Sequence, residues 1–127
     1  MEYVTTARAE VPALGLGTYR LRGQTCTETV SQALEMGYRH IDTAQLYGNE
    51  TEVGRAIADS EVDRESVFLT TKVSPRNARH DDLLRSTKES LERLDTAYVD
   101  LLLLHWPNPL VSVEDTTRAM DRLVDEG

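Results

Sequence analysis

Four short runs of apolar and β-branched residues, each followed by a stretch with helical spacing, restrict the fold of this chain more than any other feature. The runs are LGLG (Leu14 to Gly17), YRHID (Tyr38 to Asp42), VFLTTK (Val67 to Lys72) and YVDLLLLH (Tyr98 to His105). Between them, Val30, Ala33 and Leu34 share a helical face, behind Thr25 and Glu28 at capping-box spacing and ahead of Gly37 as a stop. Asn49 to Ala58 carries Val53, Ala56 and Ile57 at the same period, and Leu83, Leu84, Leu91 and Leu94 form the next stripe. A fourth helix is expected from near Ser112, through Ala119, Met120, Leu123 and Val124, toward Gly127. One strand and one helix in about 30 residues is the rhythm of βαβ units, hence of a parallel sheet with right-handed crossovers. A doubly wound sheet and a barrel both satisfy it. Met1 to Pro12 lacks helical spacing and is expected to form a short hairpin outside the sheet, so that residues 1–127 make one α/β domain.

Side chains alternate between the faces of a strand, so parity says which residues act together. His40 and Asp42 share a face, as do Phe68, Thr70 and Lys72, and Val99, Leu101, Leu103 and His105. Each of these faces ends, at the C-terminal edge of its strand, in an ionisable group. That edge is where ligands bind in open α/β sheets and in barrels alike. Asp42, Lys72 and His105 are therefore expected to converge, joined by Tyr47 from the segment just beyond Asp42.

The four types make sense together. A free phenol ionises near pH ~10, and an ammonium at hydrogen-bond distance favours its ionised form. Lys72 can supply that ammonium, and Asp42 can hold it charged at a partly buried strand end. His105 can orient a carbonyl oxygen beside the phenol. Such a set is a proton donor for carbonyl reduction or alcohol oxidation. Taken singly, each residue has a plainer account: Asp42 as a turn cap, Tyr47 as a rim aromatic, Lys72 as a solvated charge, His105 as a satisfied core histidine. Four suitable groups at equivalent places on successive units outweigh four separate accidents.

Other chemistries lack their patterns. Gly15 and Gly17 begin like a dinucleotide loop, but Arg20 stands where a third glycine belongs. His40, His80 and His105 are too scattered for a metal, and Cys26 has no nearby histidine. No serine occupies a nucleophile elbow. Cys26 is the only cysteine, so no internal disulfide forms, and the expectation is a reducing, cytoplasmic setting. The first residues lack the succession of a signal peptide, and the longest apolar run, LLLLHW, is far too short to span a bilayer. Acidic residues outnumber basic ones by 22 to 14, which points away from nucleic acid. Only Lys72 and Lys88 are lysines, against 12 arginines. That balance suits either a protein kept soluble in concentrated salt or an ordinary acidic enzyme.

With these residues in view, a resemblance emerges. GYRHIDTAQLYGNETEVG (Gly37 to Gly54) resembles the first signature of the aldo-keto reductases, and SLERLDTAYVDLLLLHWP (Ser90 to Pro107) resembles the second. TTKV (Thr70 to Val73) is similar to the family's lysine strand, and VPALGLGTYRL to its opening. Within the family the likeness is greatest to the 2,5-diketo-gluconate and methylglyoxal reductase branch. The resemblance implies Tyr47 as general acid toward an aldehyde or ketone, with Lys72 and Asp42 as its activating pair and His105 as the orienting group. It further implies hydride from NADP(H), with Gly17, Thr18, Tyr19 and Asp42 beside the cofactor. Tyr19, Tyr47, His105 and Trp106 would line the place of a small carbonyl substrate.

The resemblance also implies an eight-stranded parallel (β/α) barrel of TIM type, and such barrels take roughly 200 residues or more. Here about four units are present, the N-terminal half of such a barrel, so most of the NADP(H) site is expected in a C-terminal half. A half-barrel exposes its would-be interior and two strand edges. A truncated reading frame, a dimer of half-barrels and a complementing partner chain each answer that. The chain alone is expected to bind NADPH weakly and to turn over little. The competing expectation is a non-catalytic interaction module, since relatives in the family serve as channel-associated subunits.

Overall fold

The computed structural model describes all residues, Met1–Gly127. Strands β1 (Tyr3–Thr5) and β2 (Glu10–Pro12) pair antiparallel, with Val4 opposite Val11. Thr6 closes their turn, accepting from the Ala9 amide and donating to the Ala9 carbonyl through its hydroxyl. This hairpin stands apart from a second, four-stranded sheet. Its strands are β3 (Leu16–Gly17), β4 (His40–Asp42), β5 (Phe68–Val73) and β6 (Leu101–Leu104), all parallel and in chain order.

Helices α1 (Gly23–Glu35), α2 (Glu50–Asp59), α3 (His80–Leu94) and α4 (Val113–Glu126) follow the four strands in turn. Each helix packs on the next. Sequential strand order with right-handed crossovers puts all four on one side of the sheet. A doubly wound sheet reverses its strand order part way and places helices on both faces. The sheet is open, with free edges at β3 and β6.

The core lies between the sheet and this helical layer. Ile41 and Leu69 point into it and meet Cys26, Val30 and Leu34 of α1, Val53, Ala56 and Ile57 of α2, and Leu94 of α3. Val73 meets Leu83 and Ala119 in a second cluster, flanked by Leu102 and Leu104. The opposite face has no such cover: Leu101 and Leu103 are 36% and 40% exposed. Two glycines shape the layer. A side chain at Gly54 would overlap the Leu94 carbonyl, so glycine lets α2 lie directly on the end of α3. Gly37, at φ +100, ends α1 where its spacing predicts.

Three local expectations are corrected. Thr25 does not cap α1: the Cys26 amide already bonds the Arg22 carbonyl, so the helix begins three residues earlier and Glu28 accepts from Gln24 instead. The first strand is Leu16–Gly17 only, and Leu14 is exposed. The last strand spans four residues rather than the run from Tyr98, because side chains take the backbone acceptor there: Arg64 and Thr96 both donate to the Tyr98 carbonyl, at 2.8 and 3.1 Å. The register of β6 is fixed at its ends. The Asp100 amide donates to the Leu69 carbonyl while its carboxylate accepts from the Leu69 amide and from Arg64, and the His105 amide donates to the Val73 carbonyl.

Candidate active site

The strand tips do meet. Asp42 sits beside Gly17 on one side and Thr70 on the other, while Lys72 pairs with Leu103. Lys72 is thus two residues, roughly 6–7 Å, further along its strand than Asp42, on the same face. Its side chain reaches back over that step. The ammonium donates to both Asp42 carboxylate oxygens at 2.7 Å, to the Thr43 carbonyl at 3.0 Å and to the Tyr47 hydroxyl at 3.3 Å. It also lies 4.9 Å from the centre of the Tyr47 ring. Both ends of the pair are partly exposed, so solvent weakens their attraction, yet the hydrogen bonds leave the ammonium little freedom.

Tyr47 occupies a short 3-10 turn between β4 and α2, which Gly48 closes at φ +65. Its ring meets the His105 ring edge to face at 5.7 Å, and His105 in turn meets Trp106 at 4.7 Å. On the other flank Tyr19 lies 5.2 Å from Tyr47. Tyr19, Tyr47, His105 and Trp106 thus form a row of four neighbouring rings at the rim of the site. Tyr19 and Trp106 are mostly exposed.

Burial, and then the Lys72 charge, hold the His105 imidazole below its ordinary pKa, so the neutral ring is favoured. Its Nδ1 is buried with no hydrogen-bond partner. A neutral imidazole can give or take a hydrogen bond at the remaining nitrogen without adding a second cation beside Lys72.

Thr18 fastens the β3–α1 loop to the site: its amide and hydroxyl both donate to the Asp42 carbonyl, at 3.0 and 2.9 Å. Gly17 leaves open space, since a Cβ there would meet nothing within 4 Å. Gly17 and the exposed Tyr19 thus border open space beside the phenol and the Asp42 carboxylate, whereas Thr18, expected at the same surface, is wholly buried and fastens the loop from behind. The chemistry of that opening suits a flat ring, since glycine offers no side chain, Tyr19 is exposed and the Asp42 carboxylate is partly so.

No group of three or more His, Cys, Asp or Glu side chains converges as a metal site. His40 is occupied elsewhere, with Nε2 3.0 Å from the Thr70 hydroxyl and its ring edge-on to Phe68. Cys26 is fully buried, and burial, assisted by Glu52, pushes its thiol up to about 11. No helix is long and apolar enough to cross a membrane.

The polar groups behind Tyr47 were not legible in the sequence. Asn49, wholly buried, accepts from Thr43 and donates to the carbonyls of Thr18 and Leu21. Gln45 accepts from the Ser74 amide and from Asn77. Glu50 accepts from Thr71 and Arg93. Their partners lie up to 45 residues away, and locally Asn49 and Glu50 look like any polar helix start.

Comparison with known proteins places this geometry. Residues 13–127 match the model of the aldo/keto reductase family. The chain is similar to methylglyoxal reductase DkgB of Escherichia coli O157:H7, 50% identical over 119 residues that cover 92% of this chain and 45% of that protein. It is also 50% identical to aldehyde reductase YPR1 of Saccharomyces cerevisiae over 80% of this chain and 32% of that one. Among solved structures, the aldose reductase of Schistosoma japonicum superposes with a TM-score of 0.94 at 32% identity, over 100% of this chain and 50% of its own. The aldo/keto reductase of Brucella melitensis does so at 0.92 and 40% identity, over 99% and 50%. The chain thus spans less than half the length of these curated relatives. The family match over nearly the whole chain and the shared architecture agree, and this protein belongs to the aldo/keto reductase family.

Proposed function

We propose that this chain carries the acid–base machinery of a reductase that converts aldehydes or ketones to alcohols, with Tyr47 as the proton donor. One observation supports the reading most: a single ammonium, Lys72, touches both oxygens of Asp42 and the hydroxyl of Tyr47. Gly17, Tyr19 and Asp42, with Thr18 fixing their loop from behind, would hold a reduced nicotinamide, NADPH by family habit, which would supply hydride. As negative charge grows on a carbonyl oxygen, Tyr47 gives it the phenol proton. Lys72 stabilises the phenolate that remains, and Asp42 holds the Lys72 ammonium in place. His105, neutral and beside the Tyr47 ring, directs a hydrogen bond at the same oxygen, while Tyr19 and Trp106 wall the pocket. Small carbonyl compounds fit this aromatic rim.

The exposed Leu101 and Leu103 and the free edges of β3 and β6 support completion of a (β/α) barrel by further strands, from more polypeptide, a second copy or a complementing chain. On this reading the 127 residues by themselves bind NADPH weakly and turn over slowly, because the rest of the nucleotide site lies in those strands. The same exposed face favours a second reading, an interaction module without catalysis. Aldehyde-dependent oxidation of NADPH, measured for the wild type and Tyr47→Phe in whichever assembly is active, separates the two. Loss of the proton donor is expected to lower turnover by about 10²–10⁴-fold. Undiminished reduction by Tyr47→Phe rules out the catalytic reading, and fast turnover by the monomeric 127-residue chain rules out the need for further strands.

A further inference from the structure

The segment bearing Tyr47 is tied to β5 on both faces of the sheet. On the site face, the Tyr47 hydroxyl meets Lys72 at 3.3 Å. Three residues later, at the start of α2, the Glu50 side chain turns to the helical side, where the residue is 2% exposed. One of its carboxylate oxygens accepts from the Thr71 hydroxyl at 2.8 Å, and the other accepts from Arg93 Nε and an Arg93 terminal nitrogen at 3.0 and 2.8 Å. Thr71 immediately precedes Lys72, so strand alternation sends one to each face. The contacts Tyr47–Lys72 and Glu50–Thr71 thus join the same two segments across β5.

They differ in permanence. Lys72 has three acceptors besides Tyr47, two on Asp42 and one on Thr43, and keeps its place without the phenol. The Tyr47 hydroxyl has Lys72 as its sole hydrogen-bond partner in the chain. What locates Tyr47 is therefore the backbone around it, and the strongest anchor on that backbone is Glu50. A carboxylate is costly to bury unless paired and hydrogen-bonded, and here it has both a cation and a hydroxyl. Charge-assisted bonds are short and directional, which suits an anchor more than a filler. Gln45 and Asn49 add neutral ties on either side.

We infer that Glu50 is a positioning residue: braced by Arg93 on α3, its carboxylate grips Thr71 and so sets the distance between the Tyr47 hydroxyl and the Lys72 ammonium. Its catalytic meaning rests on the reading of Tyr47 as proton donor, but the geometry is measurable without turnover. The rings of Tyr47 and His105 stand 5.7 Å apart at 81°, so ring currents from Tyr47 mark the carbon-bound protons of His105.

The experiment is 1H–13C NMR of the His105 ring in the 127-residue chain, with Tyr47→Leu defining the signal when the phenol is gone. Thr71→Val, nearly isosteric and still β-branched, removes only the hydroxyl; Glu50→Ala removes the carboxylate. Both are expected to move the His105 resonances most of the way to their Tyr47→Leu positions. Thr71→Ser, which restores a hydroxyl, is expected to leave them at the wild-type values. Val30→Ala, a destabilising change on α1 away from the tie, is expected to leave them as well. If Glu50→Ala does not fold, Thr71→Val decides alone. Unmoved His105 resonances in folded Thr71→Val overturn the inference, and so does an equal displacement in Val30→Ala. A Tyr47→Phe variant that still reduces carbonyls defeats the catalytic reading while leaving this tie intact, so the two failures are distinguishable.

Discussion

The two faces of the parallel sheet carry the same alternation of residues but opposite tasks. Ile41 and Asp42 are neighbours in β4, yet Ile41 is fully buried under α1 and α2 and Asp42 holds an ammonium at the open edge. Leu102 and Leu103 divide the same way, while beside Lys72 the covered position is Thr71, whose hydroxyl donates to Glu50. The helical face supplies cohesion through packed aliphatic groups. The open face supplies polarity and keeps its leucines partly in solvent. Stability and chemistry are thereby separated by one step along each strand, and substitutions at adjacent positions should report on different properties.

The largest effect should come from the covered face. Leu69→Ala leaves a cavity beneath α1 and α2 and is expected to cost about 2–5 kcal/mol, read from the urea midpoint at constant slope. A loss well below that range would mean that the helical layer is not the main core.

Lys72→Met on the open face should cost less, on the order of 1–2 kcal/mol, since it strands a partly exposed Asp42 carboxylate without fully burying it. The same variant should abolish carbonyl reduction in an active assembly. A stability loss matching that of Leu69→Ala would erase the distinction between the faces.

His105 contributes a smaller, pH-dependent effect. Its folded pKa lies below the ordinary 6.5, chiefly through burial, so the unfolded chain takes up a proton more readily than the folded one. Its contribution is complete above about pH 6.5 and declines as the pH falls from there toward the folded value. Thermal melts of wild type and His105→Gln across pH 5 to 8 should converge toward the acid end.

Leu103→Thr should have the least effect, within about 0.5 kcal/mol in the 127-residue chain, because the side chain is already 40% in solvent. The same substitution costing several-fold more in a larger assembly would show that further strands cover this face.

Much of this division was legible beforehand. Period-two alternation in HID and FLTTKV identified which residues share a face, and helical spacing located α2, α3 and α4 close to their observed bounds. Local chemistry misled at Thr25, where a cap-like spacing sits inside a helix that Arg22 begins, and at Tyr98, whose carbonyl is drawn off the ladder by Arg64. The ties from Gln45, Asn49 and Glu50 were invisible for another reason. They join segments brought together only by the fold, and no short-range pattern records that Glu50 will meet Arg93.

The four consecutive leucines of β6 have one further consequence. Sliding that segment by one residue exchanges leucine for leucine at three of its four rungs, so hydrophobicity distinguishes the correct alignment from its neighbour only at the ends. Discrimination falls to Asp100, whose carboxylate is locked onto the Leu69 amide and Arg64. An aspartate at the far end of the sheet from the phenol therefore acts as a ruler for the imidazole, and without it the histidine could come to rest facing the helices.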